Sequence, residues 1–209
     1  MNIPGGIFQF GGFGSSSNVY LIEGELLVDT GTKSDFPAIL EQMKMQGISP
    51  GKVKRVVCTH GHFDHIGGTE WFSQNTKALI CVHEFDAEKL KSGIGSCADL
   101  FGSPPIKLEP DMLLEEGIEI KTPSYRFRVL HTPGHTRGSI CLYEKNKRIL
   151  ISGDTLFSDG FGRTDLPSGN IDELKASLKK LAQLDVDALL PGHGPPRRGM
   201  PMFSASMFD

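Results

Sequence analysis

The stretch Thr59-His60-Gly61-His62-Phe63-Asp64-His65-Ile66-Gly67-Gly68 places four potential metal ligands within six residues, immediately after an apolar run over 53–58. That run reads as a strand. In an extended chain the side chains at i and i+2 point the same way, so His60 and His62 can approach one metal ion from one side. Asp64 and His65 follow as the chain turns and can project toward a second ion beside the first. Imidazole and carboxylate donors suit Zn²⁺, and they also suit Fe or Mn, so donor type leaves the metal open.

Outward from this segment, three more donors recur at the ends of apolar runs, each beside glycine. They are His135 in Thr132-Pro133-Gly134-His135-Thr136, Asp154 in Ser152-Gly153-Asp154-Thr155, and His193 in Pro191-Gly192-His193-Gly194. Glycine lets the backbone turn sharply and approach a metal centre closely. A single zinc takes about three or four protein ligands, so seven donors are a surplus that two ions sharing one carboxylate would use. His83 and His131 are left over and are expected to be structural; His131, four residues before His135, is also a candidate to support a ligand.

Around these donors the chain reads as short strands and helices. Strands are expected over 7–10, 19–22 and 26–28, the last two joined as a hairpin at Gly24. Phe36, Ile39, Leu40 and Met43 have helical spacing and predict a helix over 36–46 that stops at Gly47. A strand over 53–58, a short helix over 69–74, a strand over 78–82 and a helix over 84–91 follow. The Gly-, Ser- and Pro-rich segment 93–110 reads as a long surface connection, placed to act as a lid. Strands over 118–120, 125–130, 139–143 and 148–152 suit a second sheet. The stripe Leu174, Leu178, Leu181 and Ala182 predicts a helix over 174–184, ahead of a last strand at 188–190. The order predicts an α/β fold of two sheets packed face to face with helices outside, as one domain over 1–209 with an irregular tail over 195–209.

Composition narrows the function. With 209 residues, 38% of them hydrophobic, the chain can bury a core of its own, and no apolar run approaches the ~18 to 20 residues of a membrane span. Lys and Arg number 22 against 25 Asp and Glu, a net charge of -3 without a long block of either sign, which argues against a nucleic-acid partner. The start of the chain, punctuated by Gly5, Gly6, Gly11 and Gly12, does not read as a signal peptide, so a cytoplasmic location is expected. The four cysteines are widely spaced without a Cys-x-x-Cys pair and are expected to be reduced thiols. Cys97, in a Gly/Ser stretch, is the one most open to oxidation.

Taken together, His60-x-His62-x-Asp64-His65 with His135, Asp154 and His193 downstream resembles the metallo-β-lactamase superfamily, over residues about 18 to 194. The resemblance implies a four-layer αββα sandwich with the metal site at the sheet edges. It implies that His60, His62 and His135 hold a first metal, that Asp64, His65 and His193 hold a second, and that Asp154 bridges them. Asp29, in Leu27-Val28-Asp29-Thr30-Gly31, matches an early Asp-Thr-Gly of the superfamily and would orient a ligand histidine or the loop around it. Gly153-Asp154-Thr155-Leu156-Phe157 followed by Gly160-Phe161-Gly162-Arg163-Thr164-Asp165-Leu166-Pro167 resembles glyoxalase II (hydroxyacylglutathione hydrolase), especially its short bacterial and archaeal relatives, and the persulfide dioxygenases. Classical glyoxalase II continues into a helical domain, whereas 16 residues follow His193 here, as in the short relatives.

The activity so implied is thioester hydrolysis. Two divalent ions, zinc first and iron or manganese next, would hold a bridging hydroxide that attacks a small-molecule thioester such as a glutathione conjugate, with Asp64 or Asp154 accepting the proton. Arg163, Lys145 or Lys147 would attract the substrate's carboxylates; Arg163 and Asp165 alternatively form a pair that locks their loop. A persulfide dioxygenase would instead hold one Fe²⁺ with His60, His135 and Asp154, and a lactonase would share the whole site. A catalytically idle metal-binding module is the non-enzymatic alternative.

Overall fold

The computed structural model describes residues 3–201. Asn18–Ile22, Ile140–Glu144, Ile149–Gly153 and Ala188–Pro191 are strands buried on both faces, so those runs do not alternate, whereas Glu119–Lys121 and the start of Arg126–His131 do. The first sheet contains β1 (Ile7–Gly11), β2 (Asn18–Ile22), β3 (Leu26–Val28), β4 (Arg55–Val57), β5 (Leu79–His83) and β6 (Met112–Leu114), side by side in that order. Its first three strands are antiparallel and β3 to β6 are parallel. The second sheet contains β7 (Glu119–Lys121), β8 (Arg126–His131), β9 (Ile140–Glu144), β10 (Ile149–Gly153), β11 (Ala188–Pro191) and β12 (Arg197–Arg198), again in chain order. It is antiparallel except between β10 and β11.

Alternate side chains of each strand face opposite layers. Tyr20, Ile22, Val28 and Val57 of the first sheet meet Phe127, Val129, Leu142 and Ile151 of the second in a central core. Their neighbours Val19, Leu21, Val56 and Ile80 point outward against α1 (Phe36–Met45), α3 (Thr69–Asn75) and α4 (Ala87–Ser92), through Phe36, Ile39, Met43, Phe72 and Leu90. On the far side Leu150 and Leu189 pack against Leu174, Leu178 and Leu181 of α5 (Ile171–Leu181). The result is the αββα sandwich.

Several boundaries differ from the sequence reading. Helix α5 starts three residues before Leu174, because Asn170 caps it: its side-chain oxygen accepts from the amides of Asp172 at 2.9 Å and Glu173 at 3.2 Å. The apolar stripe marks a buried face, not an end. The helix expected over 84–91 opens as a 3₁₀ turn, Glu84–Asp86, before α4 begins. The segment 93–110 carries a further 3₁₀ turn at Asp99–Phe101. Strand β6 and the single turn α2 (Phe63–Ile66) were not anticipated. Within the tail expected to be irregular, Arg197 and Arg198 pair with Leu189 and Ala188 at the sheet edge; residues 202–209 lie outside the described residues.

This topology brings the chemistry to one edge. Asp29 follows β3, Thr59 and His60 follow β4, Asp154 follows β10 and His193 follows β11, while His135 stands four residues beyond β8.

Candidate metal centre

Seven side chains from four separated segments converge here. His62 Nδ1 and His135 Nε2 lie 2.9 Å apart, and the ring of His60 meets both at centroid distances of 4.8 and 4.7 Å. Beside them His193 Nε2 lies 3.1 Å from Asp64 Oδ2 and 3.3 Å from His65 Nε2. The Asp154 carboxylate stands between the two groups: Oδ1 is 3.3 Å from His65 Nε2, and Oδ2 is 3.6 Å from His135 Nε2 and 3.5 Å from His193 Nε2. Among the described residues three triads have the spacing to hold a metal ion, namely His60, His62, His135; His60, His65, Asp154; and Asp64, His65, His193.

The donor set fits a cation. His60 Nε2, His62 Nε2 and Asp154 Oδ1 are buried without a hydrogen-bond partner, although buried polar atoms are normally satisfied. Burial and the facing imidazoles of His65 and His135 hold His60 well below the ordinary histidine range, and burial with His135 lowers His62 to about 3. Both are therefore neutral at pH 7, the form that ligates a metal. Burial opposes the charge of Asp154, but His65, His193 and His135 outweigh it and keep the carboxyl below the usual range; Asp64 is lowered against burial by His65 and His193. Despite its own burial, His65 is raised by Asp154, Asp29 and Asp64. Three carboxylates around His65 thus favour positive charge at that point of the site.

Supporting contacts fix the ring orientations. His65 Nδ1 donates to Asp29 Oδ2 at 2.8 Å, and Asp29 also accepts from the amide and hydroxyl of Thr59 at 2.7 and 2.8 Å. His135 Nδ1 donates to the Arg163 carbonyl at 2.7 Å, leaving Nε2 for the centre. The His193 loop is held by Asn18, whose amide group donates to the carbonyls of Pro191 at 2.9 Å and Gly194 at 2.8 Å, and by Tyr20, whose hydroxyl donates to Pro191 at 2.8 Å. Close contacts force glycine at several positions around the site: a Cβ on Gly67 would stand 2.1 Å from the Lys33 amide nitrogen, one on Gly162 would stand 1.9 Å from the Asp154 carbonyl oxygen, and one on Gly192 would stand 2.2 Å from Asp154 Oδ1.

Sequence reasoning missed the hub behind the ligands. Asp86, fully buried, accepts from the Gly61 amide at 2.8 Å, the Thr136 hydroxyl at 2.7 Å and the Gly138 amide at 3.1 Å, and it pairs with Lys89 Nζ. Lys89 in turn donates to Ser168 Oγ at 3.1 Å. One carboxylate thus ties the 59–65 loop to the loop bearing His135, and its partner reaches the loop after Leu166. The only signal in the chain was an Asp and a Lys three apart, which is also the pattern of a solvated helix face.

Other expected residues are placed as follows. Arg163 lines the cavity in front of the ligands, with its guanidinium bound to both oxygens of Asp165 at 2.7 and 2.6 Å. Lys145 is a correction: it sits in the turn joining β9 to β10, at the opposite end of β10 from Asp154, roughly 13 Å of extended chain away. In that turn Lys147 lies over the Tyr125 ring at 3.8 Å, so neither lysine serves the site. His83 and His131 stack on one another at 4.1 Å, and His131 Nε2 contacts the Arg137 carbonyl. All four cysteines are free and buried; Cys97 forms part of the cavity wall. Among the described residues no helix is long and apolar enough to cross a membrane.

The metallo-beta-lactamase superfamily model matches residues 12–193. A probable metallo-hydrolase of Methanocaldococcus jannaschii is 35% identical, the match covering 90% of this chain and 92% of that protein. A hydroxyacylglutathione hydrolase, GloC, of Haemophilus influenzae is 36% identical over 68% of this chain and 69% of its own, and an acyl-coenzyme A thioesterase, MBLAC2, of Gallus gallus is 32% identical over 86% and 73%. Among solved structures, a B3 metallo-beta-lactamase, BLEG-1, superposes with a TM-score of 0.80 at 28% identity, covering 92% of this chain and 93% of that one. A protein crystallised in a di-iron-bound form superposes with a TM-score of 0.77 at 31% identity and the same coverage.

Proposed function

This chain belongs to the metallo-beta-lactamase superfamily, and from that premise we propose that it is a binuclear metal-dependent thioester hydrolase of the glyoxalase II kind. The observation that carries the reading is the arrangement of seven buried or half-buried donors as two adjoining sets with the Asp154 carboxylate between them. His60, His62 and His135 would hold one ion, Asp64, His65 and His193 the other, and Asp154 would reach both. The thioesterase and glutathione-thioester hydrolase among the relatives support the substrate class. A di-iron relative and the mixed imidazole and carboxylate donors leave both zinc and iron suited to the site.

Divalent ions bound there would activate water near neutral pH and stabilise negative charge on a carbonyl oxygen. The chain's own residues do the rest. Asp64 and Asp154 both face the cavity as carboxylates and are placed to accept the proton of the attacking water. Asp29 and the Arg163 carbonyl keep His65 and His135 from rotating. The leaving thiol has an ordinary pKa of about 8.5, so it departs as thiolate and requires no dedicated acid. The test is thioester cleavage before and after chelation. Turnover lost with the chelator and restored by Zn²⁺ or Fe²⁺ supports the reading. Full turnover in metal-free protein contradicts it, as does oxygen consumption with a persulfide in place of thioester cleavage.

A further inference from the structure

Resting on that thioesterase reading, we infer that the cavity in front of the ligands is a binding site for the apolar acyl half of the substrate, and that the thiol half lies outside it. The cavity is about 390 Å³, and beside the ligands, Ser15 and Arg163 its walls are apolar: Phe63, Phe101, Phe157, Phe161, Leu166 and Cys97. Its apolar side runs outward from the chemistry. Phe157 meets the edge of the His193 ring at 6.2 Å, Phe63 stacks on Phe101 at 5.0 Å, and Phe101, 53% exposed, stands at the mouth. A carbonyl placed at the ligands therefore leaves one half of the thioester against aromatic rings. That half is the apolar one, because a glutathione or coenzyme A arm carries amides and anions that would lose water there without partners.

Charge supports the same assignment. Among the described residues lining the cavity, Arg163 is the sole permanent cation, and both oxygens of Asp165 already engage its guanidinium. A glutathione carboxylate would have to share this one guanidinium with Asp165. The segment over 93–110 contributes Cys97 and Phe101 to the wall, and the other aromatic rings come from the segments bearing Phe63, Phe157 and Phe161.

The experiment is kcat/KM on the metal-loaded enzyme for acetyl, butyryl, hexanoyl and octanoyl thioesters, each made with coenzyme A and with glutathione, alongside lactoylglutathione. The expected result is a rise of roughly two- to fourfold per methylene until the cavity is filled, with the two thiols within about fivefold of each other at every length. Phe101→Ala should flatten the rise at the longest chains, and Arg163→Ala should change the two thiol series alike. A flat or falling length series, a preference for lactoylglutathione over hexanoylglutathione, or a loss on Arg163→Ala confined to the glutathione series overturns this inference while leaving the thioesterase reading intact. Failure to cleave any thioester overturns both.

Discussion

Replacing Asp86 tests how much of the site depends on a residue that touches no ligand atom. Asp86→Asn keeps the shape and one acceptor oxygen but removes the charge opposite Lys89, whose side chain is 7% exposed. Stranding one member of a buried ion pair costs about 3–5 kcal/mol. Losing an acceptor for the Gly61 or Gly138 amide adds about 1–3 kcal/mol, with neighbouring terms not strictly additive. The expected loss is therefore at least about 3 kcal/mol, a large share of the ~5–15 kcal/mol that holds a domain together. Adding Lys89→Met removes the stranded charge and should return about 1–3 kcal/mol of that loss. Urea unfolding with chelator present, so that metal binding does not feed into stability, reads each value. A loss under about 1 kcal/mol for Asp86→Asn, or no recovery in the double variant, would refute the hub.

The same carboxylate sets a pH dependence. Burial opposes its charge, but Lys89, Thr136 and the Gly61 amide outweigh it and hold its pKa below the usual range. Its contribution is then complete above the unfolded value of about 3.9 and is lost as pH falls through the lower folded value, so wild type should lose more stability below about pH 4 than Asp86→Asn in acid titrations followed by circular dichroism. Gly192→Ala, whose Cβ would stand 2.2 Å from Asp154 Oδ1, should lower metal content and turnover together; unchanged metal content in elemental analysis contradicts the close approach. Asn18→Ala removes two bonds to the His193 loop and should weaken one of two bound ions more than the other in a calorimetric titration. Asp154→Ala should abolish metal retention and turnover in parallel, and retained activity would remove it from between the sites.

What could be read in advance was chemistry carried by scarce residue types. Histidines beside glycine at the ends of apolar runs announce a metal site because few other uses place five imidazoles so. The layers were legible for a related reason: strands buried on both faces must be continuously apolar, and α5 must show a stripe. Residues that act through common side chains were not legible. Asp86 and Lys89 read as a helix surface, and Asn18 reads as an ordinary polar residue entering a strand, until the fold brings Gly61, Thr136 and the 191–194 loop to them. Lys145 shows the converse limit. A basic residue between two strands near a ligand in the chain can lie at either end of those strands, and here it lies at the wrong one.

Metal stoichiometry on anaerobically purified protein tests the central claim most directly, with Zn²⁺ and Fe²⁺ both offered and excess removed before elemental analysis. Two ions per chain, falling to about one in His193→Ala, is the result expected of two adjoining sites with Asp154 between them. A single tightly held iron, unaffected by His193→Ala, would contradict the binuclear account.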